Sequence, residues 1–188
     1  ALVAERFSVP TQRIDLSRPY DAVIASLQPQ VRTIPDHMAY APIADRLRAR
    51  LPLANVKPRL RMTALYFAAN SLQYLVAGAS NRAELAVGYF TKYGDGAADL
   101  LPLAGLVKSE VRALARELGV PPPVVDRAAS AGLWIGQTDE EEMGFTYEEL
   151  EQYLDEGPQG VSPALAMKIE RLMRSSEHKR RLAAVPDV

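Results

Sequence analysis

Residues 73–99 read QYLVAGASNRAELAVGYFTKYGDGAAD, and their order decides the fold expected for the rest. Gln73 to Ala77 is a short apolar run closed by Gly78, the pattern of a parallel strand buried on both faces. Ligands of open α/β sheets lie outside the carboxyl ends of strands. The segment from Gly78 to Asp99 therefore stands where a site is expected. It concentrates Asn81, Glu84, Asp95 and Asp99, the cations Arg82 and Lys92, and four glycines within 22 residues. Tyr89, Phe90 and Tyr93 are interleaved with these charges, and solvation alone explains such aromatic faces poorly. Glycines 94 and 96 allow a sharp turn around Asp95 or a close backbone approach to a ligand.

Working outward, extended and helical signals alternate, as in an α/β domain with a doubly wound, mostly parallel sheet flanked by helices. Ala1 to Phe7 reads as the end of a helix. Arg13 to Leu16 (RIDL) reads as a short strand, with Ser17 capping a helix to Leu27. A helix is expected over Asp36 to Arg50. Asn55 is expected to cap a longer one from Val56 to Ser71, with Pro58 in its first turn. The centre of that helix, MTALYFAA, is apolar on almost every face, which implies cover on both sides, by a second subunit. Leu100 to Leu103 reads as another strand, followed by a helix from Lys108 to Leu118 that stops at Gly119 before prolines 121 to 123. Beyond them the strands cease: helices are expected from Thr146 to Leu154 and from Ser162 to Arg174, then a basic tail from Glu177. The acidic run Asp139 to Glu142 and the stretch Gly157 to Gly160 read as solvated loops. Ala129 to Tyr147 reads as an ordered loop.

The 188 residues suit a single domain, 1–188. Net charge is -1, from 22 basic and 23 acidic side chains, which supplies no general field for nucleic acid or anionic membrane. Zero cysteines remove disulfides and thiolate metal sites. No apolar stretch approaches the length of a membrane span, and residues 1–10 carry no secretion signal. A cytoplasmic protein is the expectation.

Each candidate residue also has an ordinary role. Glu84 suits the first turn of a helix, as a dipole partner or part of a capping box, or else an oxygen ligand to Mg²⁺, which takes one or two carboxylates plus phosphate oxygens. Lys108, after the second strand, points either at solvent or at the same sheet edge. Asn55, Lys57, Arg59 and Arg61 form a basic group; no acid lies four residues beyond either arginine, so a bound anion at a helix start is favoured over salt bridges. His178, near the terminus, has no catalytic weight on these grounds.

Three long motifs in register carry a resemblance: NVKPRLRM at 55–62, the run 78–99 continued by LLPLAGLVK to Lys108, and SAGLWIGQTDEEEMGFTYEEL at 130–150. Together they resemble the NAD synthetases, in family order, from Asn55 to about Arg181. The resemblance implies an adenine-nucleotide α-hydrolase type fold and a homodimer with two interfacial sites. It also implies an ATP-dependent ligase that adenylates the nicotinate carboxylate of deamido-NAD and lets ammonia displace AMP. By the same resemblance Glu84 matches a magnesium ligand, while Lys108, Ser130 and Ala79 match contacts to ATP. Asn55, Arg59, Lys92, Asp95, Asp99, His178 and Lys179 match positions around deamido-NAD. Asp95 and Lys108 match the catalytic pair, with Asp95 suited to deprotonating ammonium.

The family's Ser-Gly-Gly-x-Asp-Ser phosphate loop is not among these residues, and a strand, loop and helix are expected before Ala1. Ala79 stands where the family usually has threonine, and Gly132 where many members carry aspartate. The wording of the third motif, without a glutaminase domain, favours free ammonia as nitrogen donor. Two other readings compete. One is a related ATP-dependent adenylating amidotransferase or tRNA-modifying enzyme, indifferent to Arg59. The other is a non-catalytic nucleotide-binding dimer scaffold.

Overall fold

The computed structural model describes residues 2–27 and 43–185, with the side chains of the long third helix described from residue 50 onward. In chain order the helices are α1 (Leu2–Arg6), α2 (Ser17–Leu27), α3 (Ile43–Leu72), α4 (Arg82–Val87), α5 (Lys108–Glu117), α6 (Pro122–Val125), α7 (Asp139–Met143) and α8 (Tyr147–Glu156). A 3₁₀ turn at Pro158–Gly160, α9 (Pro163–Ser175) and α10 (Glu177–Arg180) complete them.

The core forms where α4 lies against α8 and α9. Ala83 and Val87 of α4, Leu150 of α8 and Ile169 of α9 meet Met143, Phe145 and Tyr147 from the segment between. Leu150 and Ile169 are fully buried; truncating either to alanine costs about 2–5 kcal/mol on the usual scale. The flanking helices are capped from the sequence as expected: Thr146 accepts from Glu149 N at the start of α8, and Ser162 accepts from Leu165 N at the start of α9. Lys108 opens α5 as anticipated, and Gly119 follows its end with φ 74°.

The sheet differs from expectation. Among the described residues it shrinks to one parallel bridge, Ala77 with Leu100, supported by Gly78 N donating to Leu100 O at 2.9 Å and Asp99 N to Val76 O at 2.9 Å. In the run 73–77 only Val76 is buried, while Leu75 is 70% exposed. An apolar run becomes a buried strand only when neighbours ladder with it and layers cover both faces, and periodicity cannot supply those. Arg13 to Leu16 forms no strand either. There the Asp15 carboxylate accepts from Ser17 N at 2.9 Å and Ser17 Oγ at 2.6 Å, starting α2. Those two bonds lower the pKa of Asp15.

The expected break at Asn55 is also absent. The anticipated helix over 36–50 begins outside the described residues, and from Ile43 the chain runs as one helix through Pro52 and Pro58 to Leu72. An interior proline removes one helical hydrogen bond. Pro58 is nevertheless buried, against Gly94: a Cβ added to that glycine would stand 3.0 Å from the Pro58 Cβ. Tertiary packing has overridden a local stop signal. The acidic run 139–142, expected as a loop, is the short helix α7, capped by the Thr138 side chain.

Candidate active site

A first cluster is built where α4 begins. Asn81, in extended backbone, accepts from Glu84 N at 3.0 Å, and Glu84 Oε2 accepts from Asn81 N at 3.1 Å, a complete capping box. This reciprocal pair aims the Glu84 carboxylate. Its other oxygen, Oε1, accepts from Lys108 Nζ at 3.3 Å and lies 3.3 Å from the Tyr147 hydroxyl oxygen. The ion pair is partly buried, with the Lys108 and Glu84 side chains 22% and 16% exposed, so its Coulomb attraction is screened less than at an open surface. The Lys108 ammonium also lies 5.1 Å from the centre of the Tyr147 ring. The Tyr147 hydroxyl donates to Asp139 Oδ2 at 2.9 Å. Burial, then the charges of Glu84 and Asp139, push the pKa of this phenol far up, so it keeps its proton.

A second cluster surrounds the turn at 88–96. Thr91 N donates to Asp95 Oδ1 at 3.0 Å, and Thr91 Oγ1 donates to Asn55 Oδ1 at 2.9 Å. Arg59 donates to Lys92 O at 3.4 Å. Lys92 in turn donates to the main-chain carbonyl of His178, and Lys179 Nζ donates to Gly88 O at 2.8 Å and Phe90 O at 2.9 Å. Burial lowers the pKa of Lys179 against the opposing pull of Asp95 and Glu142. Asn55, Arg59, Lys92, Asp95, His178 and Lys179, scattered from residue 55 to 179, are thus gathered around one turn.

Tyr89 joins the clusters. It follows Gly88 directly, and its hydroxyl donates to Glu142 Oε2 at 2.7 Å. Gln137 Nε2 donates to the same oxygen at 2.8 Å, while Gln137 Oε1 accepts from Leu133 N at 2.8 Å. Tyr147, Asp139, Gln137 and Glu142 are absent from the sequence-based set of site residues. The signal available for them was the cap at Thr138, which turns an acidic run into a helix with a buried first residue.

Other candidates stand apart. Asp99 ties the end of the 73–77 run, accepting from Val76 N at 2.7 Å and from the Tyr66 hydroxyl at 3.4 Å. Ala79 and Ser130 are exposed; the Ser130 hydroxyl accepts from Gly132 N at 3.1 Å, and neither residue bonds to either cluster among the described residues. The basic group on α3 does not sit at a helix end. Lys57 donates to Leu133 O and Arg61 to Ala131 O, fastening the start of the 129–147 segment to α3, while Asp139–Met143 within that segment is helical rather than loop. No group of three histidine, aspartate or glutamate side chains with metal-ligand placement occurs among the described residues, nor is any helix there long and apolar enough to cross a membrane.

The family model described as NAD synthase matches residues 1–183. The chain belongs to the NAD synthase family. It is 45% identical over 185 residues to the NH(3)-dependent NAD(+) synthetase of Carboxydothermus hydrogenoformans, covering 98% of this chain and 70% of that protein. It is 44% identical over 183 residues to the enzyme of the same name from Syntrophomonas wolfei, covering 97% of this chain and 68% of the relative. Among solved structures, that of the NMN synthetase from Francisella tularensis superposes with a TM-score of 0.84 at 38% identity, over 99% of this chain and 70% of that one. In this NAD synthase chain, the carboxylate expected at magnesium and the lysine expected at ATP form one ion pair. Most residues expected at the dinucleotide collect on the neighbouring turn.

Proposed function

We propose that the protein is a carbon–nitrogen ligase that uses ATP to amidate the nicotinate carboxylate of deamido-NAD, with ammonia as nitrogen donor, giving NAD. The Glu84–Lys108 ion pair at 3.3 Å, set beside the 88–96 turn in an NAD synthase chain, carries this reading. A carboxylate is a poor electrophile until its oxygen becomes a leaving group. Attack of that oxygen on the α-phosphorus of ATP expels diphosphate. Ammonia then adds to the acyl carbon, and the C–O bond to AMP breaks.

Charge gathers on the departing phosphates, and Lys108 stands ready to offset it. Magnesium, when bound, would supply the remaining positive charge. The donor set fits it, since Mg²⁺ takes one or two carboxylates and completes its shell with phosphate and water oxygens. Glu84 would hold the metal. Asp95, with one oxygen held by Thr91 N–H, would take the proton that ammonium must lose before attack. Arg59 and Lys92 would face the anionic dinucleotide, and Lys179 clamps the turn that carries Lys92.

A homodimer is part of the proposal. Leu65, Phe67 and Leu72 of α3 are all more than half exposed, Phe67 at 75%, and a helix apolar on several faces calls for cover. A second reading for the substrate comes from the NMN synthetase neighbour: a mononucleotide carboxylate in place of the dinucleotide. The test supplies purified protein with ATP, Mg²⁺ and ammonium, and either deamido-NAD or nicotinate mononucleotide, and measures diphosphate release and products by chromatography. Deamido-NAD-dependent diphosphate release with stoichiometric NAD is expected. Preference for the mononucleotide would establish the second reading; no release with either would end both.

A further inference from the structure

The buried carboxylate of Asp139 is unaccounted for by any step above. Asp139 is 5% exposed, and while Oδ2 accepts from Tyr147, Oδ1 is buried without a hydrogen-bond partner among the described residues. Burying a carboxylate half satisfied is costly, and this one anchors a side chain that touches both members of the Glu84–Lys108 pair. We infer that Tyr147, anchored by Asp139, is a positioning residue that keeps Lys108 at the nucleotide site when the Glu84 carboxylate is taken up by the metal.

The argument rests on what the ion pair must do. In the structure Lys108 is held by Glu84 Oε1 at 3.3 Å. If Glu84 turns its charge toward magnesium, as the proposed function requires, that hold weakens, and a flexible lysine side chain would regain its rotamer freedom. The ring of Tyr147, 5.1 Å from the ammonium, is a second hold that does not compete with the metal. An ammonium over an aromatic face is attracted by the ring quadrupole, more strongly when partly desolvated. The ring can serve only if its orientation is set. Asp139 sets it through the hydroxyl at 2.9 Å, while α8 and the core fix the other end, since Tyr147 is buried in the cluster with Leu150 and Ile169.

This inference depends on the proposed ATP-dependent reaction, and its test separates the two. In the full protein, Tyr147→Phe removes the hydroxyl and retains the ring; Tyr147→Leu removes both. Binding of a non-hydrolysable ATP analogue is measured by calorimetry with and without Mg²⁺, alongside kcat and KM for ATP and deamido-NAD. Tyr147→Phe is expected to weaken analogue binding about tenfold in the presence of Mg²⁺, with little change in its absence. Tyr147→Leu should add a further loss of kcat, with the KM for deamido-NAD unchanged in both. Circular dichroism confirms that each variant is folded, and Asp139→Asn, which keeps an acceptor for the hydroxyl, should fall within threefold of the wild type. Metal-dependent binding in both variants equal to wild type, or losses that scale every constant alike, would overturn the positioning role. A wild type that releases no diphosphate would instead defeat the underlying reaction.

Discussion

Lys108 and Glu84, 24 positions apart in the chain, meet at 3.3 Å in a partly buried pair. Each is locally ordinary, one a helix-opening lysine and the other half of a capping box. Their meeting makes a charge-balanced pair whose carboxylate can be taken up by a metal and whose ammonium can then turn toward phosphate. The proposed reaction needs that pairing to be dissolvable. Partial burial leaves it so, because neither ion is sealed from water or substrate.

Glu84→Gln separates the cap from the charge. A glutamine oxygen still accepts from Asn81 N–H, since a capping box works with either residue, so the thermal midpoint should move little. Diphosphate release from ATP should fall by more than a hundredfold, with deamido-NAD binding still measurable by calorimetry. Full activity in this variant would remove Glu84 from the metal.

Gly88→Ala tests the turn. Gly88 has φ 69°, and a Cβ there would stand 2.3 Å from the Ser176 Cβ. The left-handed conformation costs a non-glycine residue about 1–2 kcal/mol, and the overlap adds about 1–3 kcal/mol. Urea unfolding should register a loss of about 2–5 kcal/mol. Because Lys179 donates to the Gly88 carbonyl, the KM for deamido-NAD should rise as the clamp loosens; an unchanged midpoint would mean that the tail is not packed on this turn.

Stability should decline as the solution is made alkaline. Burial first, then neighbouring carboxylates, hold the phenols of Tyr89 and Tyr147 well above their usual 10.0. Above pH 10 the unfolded chain loses these protons while the folded one keeps them, so the folded state binds more protons and unfolding becomes easier with rising pH. The contribution is intact below 10 and is lost progressively above it, with a limiting slope of about 1.4 kcal/mol per pH unit for each tyrosine. Lys179, its pKa lowered by burial, acts in the opposite sense below its ordinary value. Unfolding free energies between pH 8 and 11 should therefore fall more steeply in the wild type than in Tyr147→Phe. Parallel curves would contradict the buried-phenol assignment.

Self-association should be visible at micromolar concentration by analytical ultracentrifugation. Phe67→Asp, at an exposed apolar position of α3, should shift the protein toward monomer without lowering its helix content. A wild-type monomer under those conditions would refute the shared-site arrangement.

Much of the site can be read before folding is considered. The cap at Asn81 with Glu84 in the first turn, Lys108 opening a helix, and the crowded 88–96 turn are all local. Hydrogen bonds within three or four residues and glycine placement express them directly. The role of Lys179 is different: a tail lysine in a basic run gives no hint that its ammonium closes on carbonyls 91 and 89 positions away. Asp139 escaped notice because an acidic run ordinarily faces solvent.

Residue order alone settled the helix starts at Lys108, Tyr147 and Pro163 and the family, because caps, turns and motif wording act over a few residues. It did not settle where α3 begins, whether the 73–77 run becomes a strand, or which carboxylate is buried. Those depend on what packs against each segment: Gly94 beside Pro58, a parallel partner at Leu100, and Tyr147 beside Asp139. Burial and pairing are properties of neighbours in space, and only the folded chain brings those neighbours together.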